Sequence, residues 1–268
     1  MAATESGTGR TPARAAEGSS VQSVSRALTL LTMLGRADGG IRVTTLAREA
    51  GLPISTTHRL LTTLELHGYA QFAPDTALWS VGREAFAAGA GFGRRRTFVA
   101  PALPFLRRLR DETRETANLG VLEDEAIVTV SQVESREIMR AISPPGGAVP
   151  PFSSGMGKAI ISTWPDAEIR DLVARLGLPA MTANSLRSEA AVLADIAATR
   201  ARGYAVDEEE YLVGLRCIAA PVFAPNGEAV CAISVSGLAL RLTPARIPVI
   251  GERVSAAARA LTVALGGG

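Results

Sequence analysis

Polar and apolar positions alternate with helical spacing over residues 51–69, GLPISTTHRLLTTLELHGY. At about 100° per residue, one arc of this helix is apolar and the opposite arc carries hydroxyls and one Arg. The apolar arc consists of Ile54, Thr57, Leu60, Leu61 and Leu64, and the polar arc of Ser55, Thr56, Arg59, Thr62 and Thr63, with His58 and Glu65 at its edge. Short hydroxyls and an Arg fork suit contact with phosphate oxygens and base edges. A solvated helix in a Thr-rich sequence is the alternative.

A shorter amphipathic helix precedes this one. Its apolar residues Val43, Leu46, Ala47 and Ala50 follow the helical spacing. Gly51 can adopt the left-handed conformation that ends a helix, and Pro53 can begin the next one. Two helices joined by such a turn form a helix-turn-helix. We expect the DNA-contacting set to be Thr44, Thr45, Ser55, Thr56, Thr57, His58, Arg59, Thr62 and Thr63.

Elements on both sides complete this domain. Upstream, Val21, Val24, Leu28 and Leu31 share one face of a predicted first helix, which would support the other two. Downstream, two short extended runs around Pro74-Asp75 predict a β-hairpin wing. The pattern is therefore typical of a winged helix-turn-helix. The stretch from Glu84 to about Phe92 then predicts a linker helix against which a second copy could pack.

The rest of the chain mixes helices and strands in an α+β manner. Pro101 is predicted to begin a helix with Leu103, Leu106 and Leu109 on one side. Strands are predicted in 118–135, with a turn at 123–125, in 137–143, and in a hairpin of 215–223 and 229–237 around the turn 225–227. Helices are predicted in 153–164, 166–177, 187–204 and 246–265. An antiparallel sheet with helices packed around it follows.

Charge divides the chain at the same place. The net charge of the 268 residues is +2, but residues 21–100 carry nine Arg against five acidic residues. Residues 101–268 carry sixteen Arg and Lys158 against nineteen acidic residues. The basic half is the predicted DNA-binding half, as a phosphate-binding surface requires. The excess is modest, so tight binding should need more than one subunit.

Composition limits the remaining classes. Residues 1–20 are poor in bulky apolar side chains, which predicts a disordered tail without a signal peptide. Because no apolar run approaches the length of a membrane span, we expect a cytoplasmic protein without membrane contact. Cys217 and Cys231 are expected to be reduced thiols. The only histidines are His58 and His67, so no metal site and no cofactor are expected.

Four segments of the second half place polar groups among apolar ones. Ser153, Ser154, Gly155 and Met156 lie at a predicted helix start, Asp207 and Cys217 at strand-like positions, and Ser234 and Ser236 on one face of a strand. Free N–H groups at a helix start favour an anion. Each has a structural alternative: a helix cap for the first serines, an exposed turn for Asp207, a buried small residue for Cys217 and mutual hydrogen bonding for the last two.

Two motif blocks resemble one family of bacterial transcriptional regulators, the IclR family. The first is SVSRALTLLTML with VTTLAREAGLPISTTHRLLTTLELHGY, and the second is ATRARGYAVDEEEYLVGLRCIAAPVFAPNGEAVCAISVSG. The resemblance runs from about Val21 to about Leu265 and implies a C-terminal GAF-like effector-binding domain. Under this interpretation the chain has a tail over 1–20, a winged helix-turn-helix over 21–83, a linker helix over 84–98 and an effector-binding domain over 99–268.

The resemblance also implies partners and a ligand. It implies a homodimer or homotetramer on near-palindromic operator DNA. Members of the family both repress and activate, and we expect a repressor. The candidate ligand residues Ser154, Gly155, Met156, Asp207, Cys217, Ser234 and Ser236 look closest to members that bind glyoxylate-type small acids. The alternatives are a larger aromatic acid, a GAF-like enzyme using Cys217 and Lys158, and a DNA binder without ligand. The enzyme is disfavoured because no His in the second half could act as base.

Overall fold

The computed structural model describes residues 21–94, 96–139, 141 and 145–267. They fall into two compact units, one ending at residue 95 and the other beginning at residue 96. The predicted tail over residues 1–20 lies outside the described residues.

The first unit contains four helices and a two-stranded sheet within its described residues. The elements are α1 (Gln22–Arg36), α2 (Val43–Glu49), α3 (Ile54–Leu66), β1 (Ala70–Ala73), β2 (Leu78–Val81) and α4 (Arg83–Arg94). Gly51 has a φ of 64° in the turn between α2 and α3, and Pro53 is the N-cap of α3. The antiparallel strands β1 and β2 are the predicted wing. The winged helix-turn-helix is therefore confirmed.

One prediction about α1 is wrong. Its packing face is formed by Leu30 and Leu34, which are buried against Leu46 and Leu61. Val21, Val24 and Leu28, predicted to support the domain, are exposed, by 63%, 54% and 56%. The helix is apolar around more than half of its circumference, so periodicity alone could not select the packed side.

The second unit is built on one antiparallel sheet. Its helices are α5 (Val99–Thr113), α6 (Gly155–Ile161), α7 (Asp166–Leu176), α8 (Glu189–Arg202) and α9 (Ile247–Ala264), and a short 3-10 helix spans Pro151–Ser153. Its strands are β3 (Thr116–Glu123), β4 (Ala126–Val133), β5 (Ala148–Val149), β6 (Ala205–Glu208), β7 (Leu215–Phe223) and β8 (Ala229–Leu238). They lie in the order β5-β4-β3-β8-β7-β6, and every pairing is antiparallel.

The two faces of this sheet are covered differently. On one face, Leu119, Ile218 and Ile233 belong to a large core with residues of α5 and α9. On the other face, Ala205, Ala219 and Ala232 pack with Met156 and Ala159 of α6. Small side chains there let α6 lie close to the strands. The α+β class with an antiparallel sheet and surrounding helices is confirmed.

The segment 137–143 was predicted as a strand, and the structure differs. Residues 137–139 form a bend, with Ile138 96% exposed, and Arg140, Ile142 and Ser143 lie outside the described residues. The partner of β4 at this edge is instead β5, through Ile127 with Val149 and Val128 with Ala148. Since β5 takes that edge, an apolar composition at 137–139 is not enough to form a strand.

Candidate DNA-binding and effector-binding sites

The polar arc of α3 lies on the surface of the first unit. Ser55, His58, Arg59, Thr62 and Thr63 are exposed and Thr56 is half-buried. One surface depression is lined by Ser23, Thr56, His58, Arg59, Leu60, Thr62 and Thr63. In α2, Thr44 is exposed and Thr45 is half-buried. The residues predicted to contact DNA, apart from Thr57, are therefore accessible at least in part.

Thr57 is the exception, and its prediction as a DNA contact is wrong. Its side chain is fully buried, and its Oγ1 donates to the carbonyl oxygen of Pro53 at 3.1 Å. Its position on the apolar arc is confirmed, because it faces the same core as Leu61. Ile54 is misplaced in the opposite sense, since it is 54% exposed at the first position of α3.

Arg59 is the charged group at the centre of this surface. It forms no ion pair with any residue in the described part of the chain. Its carbonyl oxygen accepts a hydrogen bond from Thr63 Oγ1 at 2.9 Å, while Thr62 Oγ1 lies 3.5 Å from His58 Nδ1. The Thr63 hydroxyl therefore offers its oxygen outward as an acceptor, and the Arg59 guanidinium keeps its donors for an external partner.

In the second unit, strand register brings together the polar residues predicted for a ligand. Asp207 of β6 pairs with Cys217 of β7, and Cys217 pairs with Ser236 of β8. Paired residues of neighbouring antiparallel strands point to the same face, and so does Ser234, two positions before Ser236. These four residues, together with Asn118 of β3, are here called the polar cluster. All five are nearly inaccessible to solvent.

Asn118 is at the centre of the polar cluster, and sequence reasoning missed it. Its Nδ2 donates to Ser234 Oγ at 3.3 Å and to Ser236 Oγ at 3.2 Å. Its Oδ1 accepts from Gln132 Nε2 of β4 at 3.0 Å. The expectation that the two serines satisfy each other therefore gives way to a shared amide donor. An Asn inside an otherwise apolar buried strand was the available signal, because such an amide must find partners.

The start of α6 lies directly over Cys217. A Cβ atom on Gly155 would stand 3.0 Å from Cys217 Sγ and 3.1 Å from Cys217 O, so only glycine fits without displacement. Ser154 is the N-cap, with its Oγ accepting from Gly157 N at 3.4 Å, which confirms the capping alternative for this residue. The N–H groups of Gly155 and Met156 form no hydrogen bond with the described residues. With only seven residues, α6 offers these individual donors rather than a large macrodipole.

Burial governs the electrostatics of the polar cluster. It raises the pKa of the Asp207 carboxyl to about 7, although backbone N–H donation from Glu210, at 2.8 Å, and the charge of Lys158 act in the opposite direction. Asp207 is thus not an exposed turn residue. Burial and the neighbouring Asp207 raise the pKa of the Cys217 thiol to about 11, against hydrogen bonds from Ser236 and Ser234. The thiol is therefore protonated at neutral pH and a poor nucleophile.

A buried ion-pair network adjoins the polar cluster. Lys158 Nζ of α6, with a side chain only 1% exposed, lies 2.5 Å from Glu210 Oε1 and 3.1 Å from Asp195 Oδ2 of α8. Burial raises the pKa of Glu210, and the Lys158 charge opposes that rise. The sequence raised Lys158 only in the enzyme alternative and predicted neither acidic partner, because the segments are far apart in the chain. These contacts join α6, α8 and the segment after β6.

The two units together define a class of protein: a transcriptional regulator with one domain for DNA and one for a small molecule. The family model described as IclR helix-turn-helix domain matches residues 23–74. The model described as Bacterial transcriptional regulator IclR C-terminal matches residues 94–263. The chain belongs to the IclR family of bacterial transcriptional regulators and is not an enzyme.

Relatives cover nearly the whole chain. It is 40% identical to Transcriptional repressor IclR of Escherichia coli and 39% identical to the Acetate operon repressor of Salmonella typhimurium, each over 92% of this chain and 91% of the relative. The crystal structure of the Thermotoga maritima IclR is similar with a TM-score of 0.76 and 25% identity, over 91% of this chain and 98% of that one. In the described part of the chain, no helix is long and apolar enough to cross a membrane, and no cluster of three His, Cys, Asp or Glu could hold a metal.

Proposed function

We propose that this protein represses genes of small-acid catabolism and responds to a small carboxylate such as glyoxylate or a close α-keto or α-hydroxy acid. The carboxylate binds the hydroxyls of Ser234 and Ser236 and the N–H groups of Gly155 and Met156. Asp207 and Cys217 face its carbonyl or hydrate end.

The observation that carries this proposal is the concentration of buried polar groups at one place on the sheet. Buried polar groups cost free energy unless they are paired, so such a group of residues favours a polar ligand. The hydroxyl of Ser236 lies in register with a buried thiol and, one strand further, a buried carboxyl, and Ser234 is on the same face. Nearby, the unpaired N–H groups of Gly155 and Met156 begin a helix that lies over the thiol. Hydrogen bonds donated to a carboxylate are strong in a site that excludes water.

The surroundings of the polar cluster favour a small ligand. A Cβ atom on Gly120 would stand 2.7 Å from Met156 Sδ, so the Met156 side chain fills the space over that strand. Ile127 and Ala232 pack around the same side chain. Apolar side chains thus bound the polar cluster on this side. This close packing favours a C2 or C3 acid over a bulkier aromatic acid.

The repressor role and the class of regulated genes have support from one relative. The Salmonella typhimurium relative is named Acetate operon repressor, and acetate is a two-carbon acid. On the DNA side, α3 would enter the major groove through Ser55, Thr56, Arg59, Thr62 and Thr63, with Thr44, Thr45 and His58 beside them. The wing around Pro74-Asp75 would lie along the adjacent backbone.

The proposal includes assembly of the chain into a dimer or a tetramer. Val21, Val24 and Leu28 of α1 are more than half exposed, and Phe86 of α4 is 77% exposed. This number of exposed apolar side chains on two helices of one unit favours association with a second copy. Two modestly basic DNA-binding units would then bind the two halves of a near-palindromic operator.

The test is whether a small acid changes operator binding through the polar cluster. Genomic footprinting first locates an operator fragment. Binding of the protein to this labelled fragment is then followed by fluorescence anisotropy at increasing concentrations of glyoxylate, pyruvate and glycolate. We expect a saturable change with the wild type and a weaker response with Ser234→Ala, at unchanged DNA affinity without ligand. The matched control is Ser162→Ala at the end of α6, which should respond as the wild type does. An identical response of Ser234→Ala and the wild type would contradict the proposed site.

A further inference from the structure

We infer that Asn118 is the positioning residue of the effector site: by donating to both serine oxygens, it directs the hydroxyl hydrogens of Ser234 and Ser236 toward the bound carboxylate. This inference rests on the proposed function. It explains how two freely rotating hydroxyls can act as a fixed pair of donors.

The hydrogen-bonding capacity of a serine hydroxyl limits where its hydrogen can point. A serine oxygen has one hydrogen to donate and lone pairs that accept. Asn118 Nδ2 carries two hydrogens and lies 3.3 Å from Ser234 Oγ and 3.2 Å from Ser236 Oγ. Each hydroxyl accepts from this amide, so its own hydrogen must point to another acceptor. Ser236 pairs with Cys217, and Cys217 pairs with Asp207, so both serine hydroxyls lie on the sheet face that carries the thiol and the carboxyl.

The orientation of the Asn118 amide is fixed in turn from the neighbouring strand. Gln132 Nε2 donates to Asn118 Oδ1 at 3.0 Å, so the oxygen faces β4 and the nitrogen faces the serines. Register supports this chain of contacts, because Gln132, Asn118 and Ser234 are paired positions of β4, β3 and β8. Asn118 is only 1% exposed, so bulk solvent does not compete for its amide. A relay of donors therefore runs from Gln132 through Asn118 to the two serines.

This arrangement selects an acceptor-only group at the end of the ligand that meets the two serines. A carboxylate has two oxygens that accept and none that donate, and it matches two convergent hydroxyl donors. A primary amide or an alcohol of the same size matches less well, because its own donors would face hydroxyl hydrogens. Asn118 thus contributes to specificity without touching the ligand.

The test replaces Asn118 by an isosteric group that reverses the direction of donation. An Asp carboxylate accepts from the serine hydroxyls and turns their hydrogens away from the ligand. Calorimetric titration with glyoxylate should show an affinity at least about tenfold lower for Asn118→Asp, since charge-assisted hydrogen bonds are lost. The added negative charge would also repel the ligand, so the same substitution is repeated in a Ser236→Ala background. If Asn118→Asp acts by turning the serine hydroxyls, its fold-loss of glyoxylate affinity should be smaller in the Ser236→Ala background. If it acts by charge repulsion, the fold-loss should be equal in both backgrounds.

A second pair of variants covers the case in which Asn118→Asp does not fold. Gln132→Glu presents an acceptor to Asn118, turns its amide over and should lower glyoxylate affinity more than the neutral Gln132→Met does. Thermal unfolding and operator binding serve as controls for the folded state. Equal fold-losses in the two serine backgrounds, or Gln132→Glu binding as well as Gln132→Met, would overturn the positioning role. A wild type that binds none of the small acids overturns the proposed function and this inference with it.

Discussion

Asp207 illustrates how a single burial changes the chemistry of a residue. In the sequence it begins an acidic run and could be a solvated turn residue, yet its side chain is only 3% exposed. The groups that face it are the Cys217 thiol of the next strand, the Lys158 ammonium of α6 and Glu210, which donates its backbone N–H. Its protonation state is therefore set by the site and can respond to a ligand.

A pH dependence of effector binding follows from this environment. The pKa of Asp207 is about 7, and a bound anion would favour the protonated form further. Binding then takes up a proton, so glyoxylate affinity should fall as pH rises from about 6 to about 8. Asp207→Asn resembles the protonated form. Its glyoxylate affinity should therefore match that of the wild type at the lower pH and should not change with pH. Calorimetry in buffers of different ionisation enthalpy measures the proton uptake. Parallel pH profiles for the two proteins would rule out Asp207 as the titrating group.

Arg59 gives the corresponding residue-scale prediction for DNA. Its guanidinium has no ion-pair partner within the described residues and lies on the exposed face of α3. If it reads a base edge, Arg59→Ala should weaken specific operator binding by roughly 1–3 kcal/mol and non-specific binding much less. Anisotropy titrations with operator and random duplexes separate the two. The control is Arg83→Ala on α4, another exposed Arg. Equal losses of binding free energy on both duplexes would indicate that Arg59 contacts only phosphate.

At the scale of elements, local patterns predicted most of the fold. The helix-turn-helix, the wing, α6 to α9 and the hairpin of β7 and β8 follow from periodicity and from Gly and Pro positions. Periodicity failed where more than one face was apolar, as in α1, and where a sheet edge already had a partner, as at residues 137–139. These outcomes depend on tertiary contacts that no local pattern contains.

The same limit applies to the candidate site. Strand pattern placed Ser234 and Ser236 on one face, but only the pairing of β3 with β8 brings Asn118 to them, across more than one hundred residues. Likewise, Lys158 could be recognised as unusual, whereas Asp195 and Glu210 could not be assigned to it. Long-range register therefore separates what the sequence predicts from what the structure adds.

The ion pairs of Lys158 with Glu210 and Asp195 connect elements of the second unit and should therefore stabilise it. Removing one member of a buried ion pair leaves uncompensated charge, so Lys158→Met should lower the free energy of unfolding by roughly 3–5 kcal/mol. The exposed pair of Arg175 with Glu125 is the matched control, and Arg175→Ala should change it by less than about 1 kcal/mol. Urea unfolding monitored by circular dichroism gives both values. A Lys158→Met protein as stable as Arg175→Ala would show that the buried pair contributes no net stabilisation.

At the scale of the whole molecule, the chain divides its work between two units. The first carries nine Arg against five acidic residues over 21–100 and presents the polar face of α3. The second buries its polar cluster beneath α6. Family membership establishes that such a chain is a bacterial transcriptional regulator. The central claim that goes beyond the family is the ligand class, a small carboxylate held by the polar cluster.

Calorimetric titration of the full chain with glyoxylate, pyruvate, glycolate and a bulky aromatic acid tests that claim most directly. We expect saturable heat from at least one small acid, no saturable heat from the aromatic acid, and loss of the small-acid signal in a Cys217→Ser and Ser234→Ala double variant. Thermal unfolding of the double variant confirms that it is folded. Heat from the aromatic acid alone, or a double variant that binds small acids as the wild type does, would contradict it.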